Sequence, residues 1–315
     1  AGSIVIIETM RYTATERLPP PGKRRRGRQG NRSLSEDIHF RLAQLGCSDV
    51  KEIRPLSGGC INQSYRILTD DGRQLFFKCH GSPPVELFAA EARGLQTLGD
   101  SGEIKTPEVI AWNQHSLLME FLPQCSPDHR YWRNFGEQLA RLHRQPVDQF
   151  GFHCDTYCGT TRQPNPLTSD GHRFFIENRL LFQAELNYQN GRLERSDLAS
   201  LEHLCKRFEE LVPQQPPALL HGDLWSGNHL CFQGKPVLID PAAYWGWAEA
   251  ELAMTRLFGG FPEEFYRSYQ SVQPLQEGWQ DRVPIYNLYH LMNHLNLFGE
   301  GYLQSIRSVL ARFRP

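Results

Sequence analysis

The chain has 315 residues, 40% of them hydrophobic and 22% charged, with a formal net charge of −1. That balance suits one large globular domain or two modest ones with real cores, and no apolar run approaches the roughly 20 residues of a membrane helix. Residues 1–33 hold eight basic and two acidic residues, leaving 26 basic and 33 acidic, a net of −7, in an acidic body that shows no sign of a nucleic-acid groove.

Residues 1–33 read as a disordered basic leader, with Ala1-Gly2-Ser3 as a cloning remnant. A nucleic-acid patch or an address is the competing reading of the basic run. Glu8 and Glu16 count against an organelle transit peptide. The eight cysteines are scattered, without a paired C-x-x-C framework or a signal-peptide core. This fits reduced thiols and a cytoplasmic location. His153, Cys154 and Cys158 lack the second matching pair that a structural zinc site needs.

In chain order, residues 34–47 read as an amphipathic helix capped by Ser33 or Ser35. Strands are predicted at 51–56, 61–69 and 74–79, the first two joined by Ser57-Gly58-Gly59-Cys60 and the last two by Asp70-Asp71-Gly72. The stretch from Pro84 to Leu98 is helical, with Leu87, Phe88, Leu95 and Leu98 on one face. Short strands follow near 108–111 and 115–121. Helices are then predicted over 131–144, 171–190 and 195–211, and a Pro-rich connector over 213–217. Two apolar strands, 218–220 and 236–239, flank a polar loop, and the last third is helical. The fold class is therefore α+β and two-lobed, with a small β-rich N-lobe at 34–118, a hinge at 119–122 and a larger, mainly helical C-lobe at 123–315. A cleft between such lobes is a common small-molecule site.

The polar loop carries the chemistry. Phosphoryl transfer needs phosphates held, a cation placed and an acceptor hydroxyl aimed. An Asp that accepts the hydroxyl proton, followed five residues later by a metal-binding Asn, meets two of these needs. Asp223 and Asn228 have that spacing, and Asp240 follows at the end of an apolar strand as a second metal ligand. These are hard donors, suited to Mg²⁺. Upstream, Gly58 and Gly59 sit in a turn whose backbone amides suit phosphate oxygens. Lys78 is the candidate phosphate lysine, and Glu91, with Glu86 second, is its candidate partner. The sequence has no Walker A motif, so ATP would be gripped as in protein kinases and not by a P-loop.

Together the residues mark a family resemblance. His221-Gly222-Asp223-Leu224-Trp225-Ser226-Gly227-Asn228 resembles the signature of the fructosamine kinase (ketosamine-3-kinase) family. The likeness continues in Ser57–Asn62, Thr160–Asn165, Phe174–Leu180, Asp240–Gly246 and Leu252-Ala253-Met254, from about Ile53 to the C-terminus. It implies a protein-kinase-like fold, ATP and Mg²⁺ as cofactors, and phosphorylation of a sugar hydroxyl, O-3, on ketosamines, a deglycation repair step. It further implies Asp223 as the base, Asn228 and Asp240 as metal ligands, Lys78 with Glu91 on the phosphates, and Met119, Glu120, Phe121 and Leu122 as the adenine-facing hinge. Trp225 is the expected sugar platform, with Tyr244, Trp245 and Arg179 also on the substrate side.

Three departures stand out. His172 replaces a common Trp, Glu251 stands where Asp is usual, and Trp247–Glu251 is less polar than is typical. They bear on acceptor preference. The alternatives are a kinase for another small hydroxyl compound, an aminoglycoside or amino alcohol, and a nucleotide-binding pseudokinase. The partner is a small-molecule or protein-bound ketosamine. The chain is expected to be a monomer or homodimer, with Cys60, in the phosphate turn, as a candidate redox switch and disulfide link.

Overall fold

The structure, a computed structural model, describes residues 34–56 and 62–313. The chain divides into two units after Ile38. Helix α1 (Leu34–Gln44) runs across their boundary, and every other described element belongs to the second unit. Gly58, Gly59 and Cys60, and with them the phosphate turn and the redox switch, lie outside the described residues.

Five strands form one antiparallel sheet: β1 (Val50–Leu56), β2 (Gln63–Thr69), β3 (Gln74–Cys79), β4 (Val109–Asn113) and β5 (Ser116–Glu120), in the order β1-β2-β3-β5-β4. Side chains alternate across a strand, so Leu75 and Phe77 face one way and Phe76 and Lys78 the other. Lys78 stands opposite Leu117, and Phe76 opposite Met119. On this second face lies α2 (Leu87–Asp100). Its Leu87, Phe88, Ala92 and Leu95 pack with Leu117 and Met119. Glu91 falls on the same helical stripe, three residues after Phe88 and four before Leu95. The apolar period therefore drives a carboxylate into the sheet face that carries Lys78.

The remaining elements are α3 (His129–His143), the ribbon β6 (Thr156–Cys158) and β7 (Thr161–Gln163), α4 (Gly171–Phe175), a π-helical turn (Ile176–Leu181), α5 (Phe182–Gln189), α6 (Arg195–Lys206) and α7 (Phe208–Leu211). Two ribbons follow, of β8 (Ala218–Leu220) with β11 (Tyr244–Gly246), and of β9 (His229–Phe232) with β10 (Lys235–Leu238). Helices α8 (Ala248–Leu257), α9 (Glu263–Val272) and α10 (Trp279–Phe298), a 3₁₀ turn (Glu300–Tyr302) and α11 (Leu303–Ala311) complete the described elements. Their core is dense in aromatics, including Tyr131, Phe135, Phe174, Phe175, Phe208, Trp247 and Tyr286.

Several sequence expectations are corrected. The single helix expected over 171–190 contains a π turn, the widened geometry that inserts an extra residue per hydrogen-bonded ring. The helix expected over 195–211 breaks at Arg207, whose φ of −104° leaves the helical range. The short ribbons were read only in part: β6, β7, β9 and β11 have three or four residues each, too few to show an alternation. Among the described residues, no helix is long and apolar enough to cross a membrane.

Candidate active site

Two ribbons position the polar loop. In β9–β10 the register pairs His229 with Leu238, so Asn228 and Asp240 leave the same end of the hairpin. The hairpin closes through Gln233 and Gly234, with φ of 50° and 74°, the two positive values a tight type I′ turn demands. In β8–β11, Leu220 pairs with Tyr244, and the Ala242 amide donates to the His221 carbonyl at 2.9 Å. Residues 221–228 and 239–243 are thus two loops clamped side by side.

Lys78 is buried and donates to both Glu91 oxygens, at 2.9 and 3.0 Å, and to Asp240 Oδ1 at 3.0 Å. Burial disfavours its ammonium, but Asp240 and Glu91 outweigh that penalty and hold its pKa above the ordinary value. Glu91 is pushed up to about 7 by burial, with Asp240 adding to the effect and Lys78 opposing it. Asp240 moves the other way: burial would raise it, but Lys78 dominates and lowers it. One ammonium between two carboxylates leaves an excess negative charge. Asp240 keeps 43% of its side chain exposed, so that charge faces outward. Its backbone sits at φ 53°, a strained conformation for a non-glycine residue, of the kind that collects at functional sites.

Asp223 lies in the first of these loops. Asn228 Nδ2 donates to the Asp223 carbonyl at 2.8 Å and to its Oδ2 at 3.2 Å. With Nδ2 so used, the Asn228 amide oxygen is the atom left to offer a cation. Burial pushes the Asp223 pKa up to about 8, with Asp240 and Glu251 adding to it, against the nearby Cys158 thiol and the Asn228 amide. The other carboxylate oxygen, Oδ1, is buried without a hydrogen-bond partner.

The structure therefore brings Lys78, Glu91 and Asp240 into one cluster, and Asp223 with Asn228 into another beside it. The second candidate, Glu86, is excluded as the lysine partner: it is at φ 67° ahead of α2 and turns outward toward Arg93, at 3.6 Å. Trp225 is 37% exposed, edge-on to Phe258. Trp245 is half-buried against His153 and Phe152. Arg179 and Tyr244, expected on the substrate side, are buried. The Arg179 guanidinium stacks 4.1 Å from the Tyr244 ring and donates to Asn165 Oδ1 at 2.7 Å and the Pro164 carbonyl at 2.9 Å. In the hinge segment, the Glu120 and Phe121 amides already donate to Glu108 and Gln74 carbonyls.

Glu251 and His172, the two departures named by residue, have structural roles, as does Glu249. Glu251 is buried and accepts from the His221 amide at 2.9 Å, the Gly222 amide at 2.8 Å and His143 Nε2 at 3.1 Å. It fastens the start of the loop 221–228. Glu249 forms a buried bidentate pair with Arg282, at 2.7 and 2.8 Å, and accepts from Tyr286. His172 bonds to the Val212 carbonyl at 2.8 Å and packs on Phe208 and Trp247. All three are buried, each an internal fastening. Sequence reasoning also missed Tyr289, whose hydroxyl donates to the Gly222 carbonyl at 3.1 Å, and Cys158 and His290, which flank Asp223.

A family model described as fructosamine kinase matches residues 36–314. This chain belongs to the fructosamine kinase family. Among relatives of this fructosamine kinase family member is a protein of Synechocystis sp. assigned as a ketoamine kinase, 41% identical over 269 residues, covering 83% of this chain and 90% of that protein. A chloroplastic protein-ribulosamine 3-kinase of Oryza sativa subsp. indica is 36% identical, covering 85% and 80%. A Thermobifida fusca crystal structure assigned as a fructosamine-3-kinase superposes with a TM-score of 0.81 at 33% identity, covering 88% of this chain and 98% of that one. A ternary complex of streptomycin, ATP and APH(2″)-IIa superposes with a TM-score of 0.61 at 14% identity, covering 90% and 97%. That likeness is one of fold, and the fold of this fructosamine kinase family member is protein-kinase-like.

Proposed function

We propose that this chain is an ATP-dependent kinase that phosphorylates a sugar hydroxyl, O-3, of ketosamines, the first step of removing a glycation adduct. The observation that carries the reading is the Lys78 ammonium held between Glu91 and Asp240 beside the Asp223–Asn228 pair. Family membership supplies the ketosamine acceptor.

Lys78, locked by Glu91, is a fixed positive charge for phosphate oxygens. Asp240 and the Asn228 amide oxygen are hard donors, and with the excess negative charge around Lys78 they fit Mg²⁺. When bound, that ion neutralises charge developing on the transferred phosphoryl group. Asp223 accepts the acceptor's hydroxyl proton, and its raised basicity suits it to that role. Trp225 offers an exposed aromatic face to the C–H surface of a sugar. Residues 34–118 and 123–315 act as the two lobes, and 119–122 as the hinge that meets adenine, with its backbone atoms other than the Glu120 and Phe121 amides.

The test is direct. Purified protein is supplied with ATP, Mg²⁺ and a panel of fructosamine, ribulosamine, aminoglycoside and choline acceptors. Phosphate transfer to ketosamines above the others is expected. Transfer only to the aminoglycoside or choline would replace the acceptor; no transfer to any would leave a nucleotide-binding regulator.

A further inference from the structure

Asp223 has two oxygens with different surroundings. Oδ2 is tied to Asn228. Oδ1 turns the other way, buried and unbonded, 4.0 Å from His290 Nδ1, which is likewise buried and unbonded. The Cys158 thiol lies against the same carboxylate. One donor atom from each of Cys158, Asp223 and His290 falls within 4.8 Å of the other two. Two facing polar atoms without partners, next to a buried thiol, form an unfilled coordination set more than a packed core, because buried polar atoms are normally satisfied.

The carriers of these donors are tied together independently of the donors themselves. Helix α10 supplies His290. From the same helix, Tyr289 donates to the carbonyl of Gly222, the residue before Asp223, at 3.1 Å, and Asn293 Nδ2 donates to the carbonyl of Cys158 at 3.3 Å. Tetrahedral zinc with bonds of about 2.0–2.3 Å needs donors about 3.3–3.7 Å apart. Asp223 Oδ1 and His290 Nδ1 are 4.0 Å apart and the whole set lies within 4.8 Å, within reach of that spacing by side-chain adjustment. A thiolate and a carboxylate, one imidazole and a fourth open position match zinc and not the all-oxygen preference of Mg²⁺. The nearby cation, Arg179, is stacked on Tyr244 and bonded to Asn165, and two anionic ligands leave the filled site without excess positive charge of its own.

We infer that Cys158, Asp223 and His290 form an inhibitory site for a thiophilic divalent cation of the zinc class, separate from the Asn228 and Asp240 donors. On binding, the thiol proton leaves to solvent, sulfur and Oδ1 become ligands, and no bond to carbon changes. The cation takes the one Asp223 oxygen that Asn228 leaves free, so the carboxylate no longer accepts a hydroxyl proton. Metal binding stands without the kinase reading; the inhibition rests on it.

Co²⁺ is the probe for binding and Zn²⁺ for inhibition, each added to the full, metal-stripped chain, with folding of every variant checked by circular dichroism. A thiolate-to-cobalt charge-transfer band with tetrahedral d–d bands is expected, bleached by Zn²⁺ and lost in Cys158→Ser. With ATP and Mg²⁺ saturating, Zn²⁺ is expected to inhibit ketosamine phosphorylation, with half-inhibition shifted upward about tenfold or more in Cys158→Ser and in His290→Gln, each measured against its own metal-free rate. His290→Gln serves if Cys158→Ser does not fold. A cobalt–thiolate band that survives Cys158→Ser, equal zinc sensitivity in all variants, or activation by zinc would each overturn the proposal. If the chain phosphorylates nothing, the cobalt spectrum still decides the site.

Discussion

Lys78 and Asp240 stand 162 residues apart in the chain and 3.0 Å apart in space, Nζ to Oδ1, with Glu91 on the other side of the same ammonium. Replacing Lys78 by Met keeps the stem and removes the charge. Glu91 and Asp240 then face each other without their shared cation, and breaking a buried pair from one side costs about 3 kcal/mol. Lys78→Met is expected to unfold at lower denaturant, to raise the KM for ATP and to cut kcat by about 10²-fold or more. Glu91→Gln in the Lys78→Met background should partly restore stability. An additive double variant would show that the two side chains act separately.

Asp223 links activity and stability with opposite signs. Its pKa rises from 3.8 to about 8 on folding, chiefly through burial. Below pH 3.8 the carboxyl is protonated folded or unfolded, and it has no effect. Between 3.8 and about 8 the unfolded chain ionises first, so each rise in pH weakens the fold. Above about 8 both states are ionised and the penalty is constant. Asp223→Asn lacks this penalty, so its Tm should exceed that of the parent by a few degrees at pH 8 and by little at pH 4. Turnover of the variant should fall by about 10³-fold, with ATP binding retained. In the parent, kcat/KM should rise with pH to a midpoint at or below about 8. A variant with near-normal turnover removes Asp223 from the role of base.

Glu251 holds the His221 and Gly222 amides and His143. Burial would raise its pKa, but His143, then His221 and the loop amide, outweigh that and lower it. Glu251→Gln exchanges one acceptor oxygen for an NH₂ that meets amide donors head-on. A loss of about 2 kcal/mol is expected, together with a kcat decrease of about tenfold and an unchanged KM for ATP, because the loop shifts and the Lys78 cluster does not. A rise in KM for ATP alone would place Glu251 elsewhere in the cycle.

Trp225 offers a contrast, because the residue is 37% exposed. Trp225→Ala should leave thermal stability within about 0.5 kcal/mol of the parent. The KM for the ketosamine should rise about tenfold and that for ATP should not move. Equal changes for both substrates would make Trp225 a packing residue of the loop.

These residues differ in how visible they were from sequence. That the 221–228 loop and Lys78 come together was legible because fixed spacings lie beside strands whose alternation or apolar run is plain. Glu91 was legible because it sits on an apolar stripe where a carboxylate has no other reason to be. Glu251 is visible but reads as bearing on acceptor preference, and Glu249 reads as an ordinary residue of the family pattern. Their partners, His143 and Arg282, are 108 and 33 residues away, and no local pattern announces a buried acid's partner. Arg179 shows the same limit: its π turn and its stacking on Tyr244 depend on helix packing, which sequence period does not encode. Cys158 and His290 are brought to Asp223 only by the placement of α10 and a three-residue strand.

Gly222 tests how tightly the loop is built. Its φ is 84°, and a Cβ there would overlap the Ala242 carbonyl oxygen and touch the Tyr244 ring. Its own carbonyl accepts from Tyr289 and its amide donates to Glu251, so the residue cannot rotate out of the clash without giving up both bonds. Gly222→Ala combines left-handed strain of about 1 kcal/mol or more with a backbone collision. A total loss of about 3 kcal/mol or more is expected by chemical denaturation, with kcat falling further than the folded fraction accounts for, because Asp223 is the next residue. Gly234→Ala is the control: its φ is 74°, but nothing lies within 4 Å of an added Cβ. That variant should show the strain alone and keep its kcat. Equal losses in the two variants would assign the effect at Gly222 to φ and remove the Ala242 contact from the account.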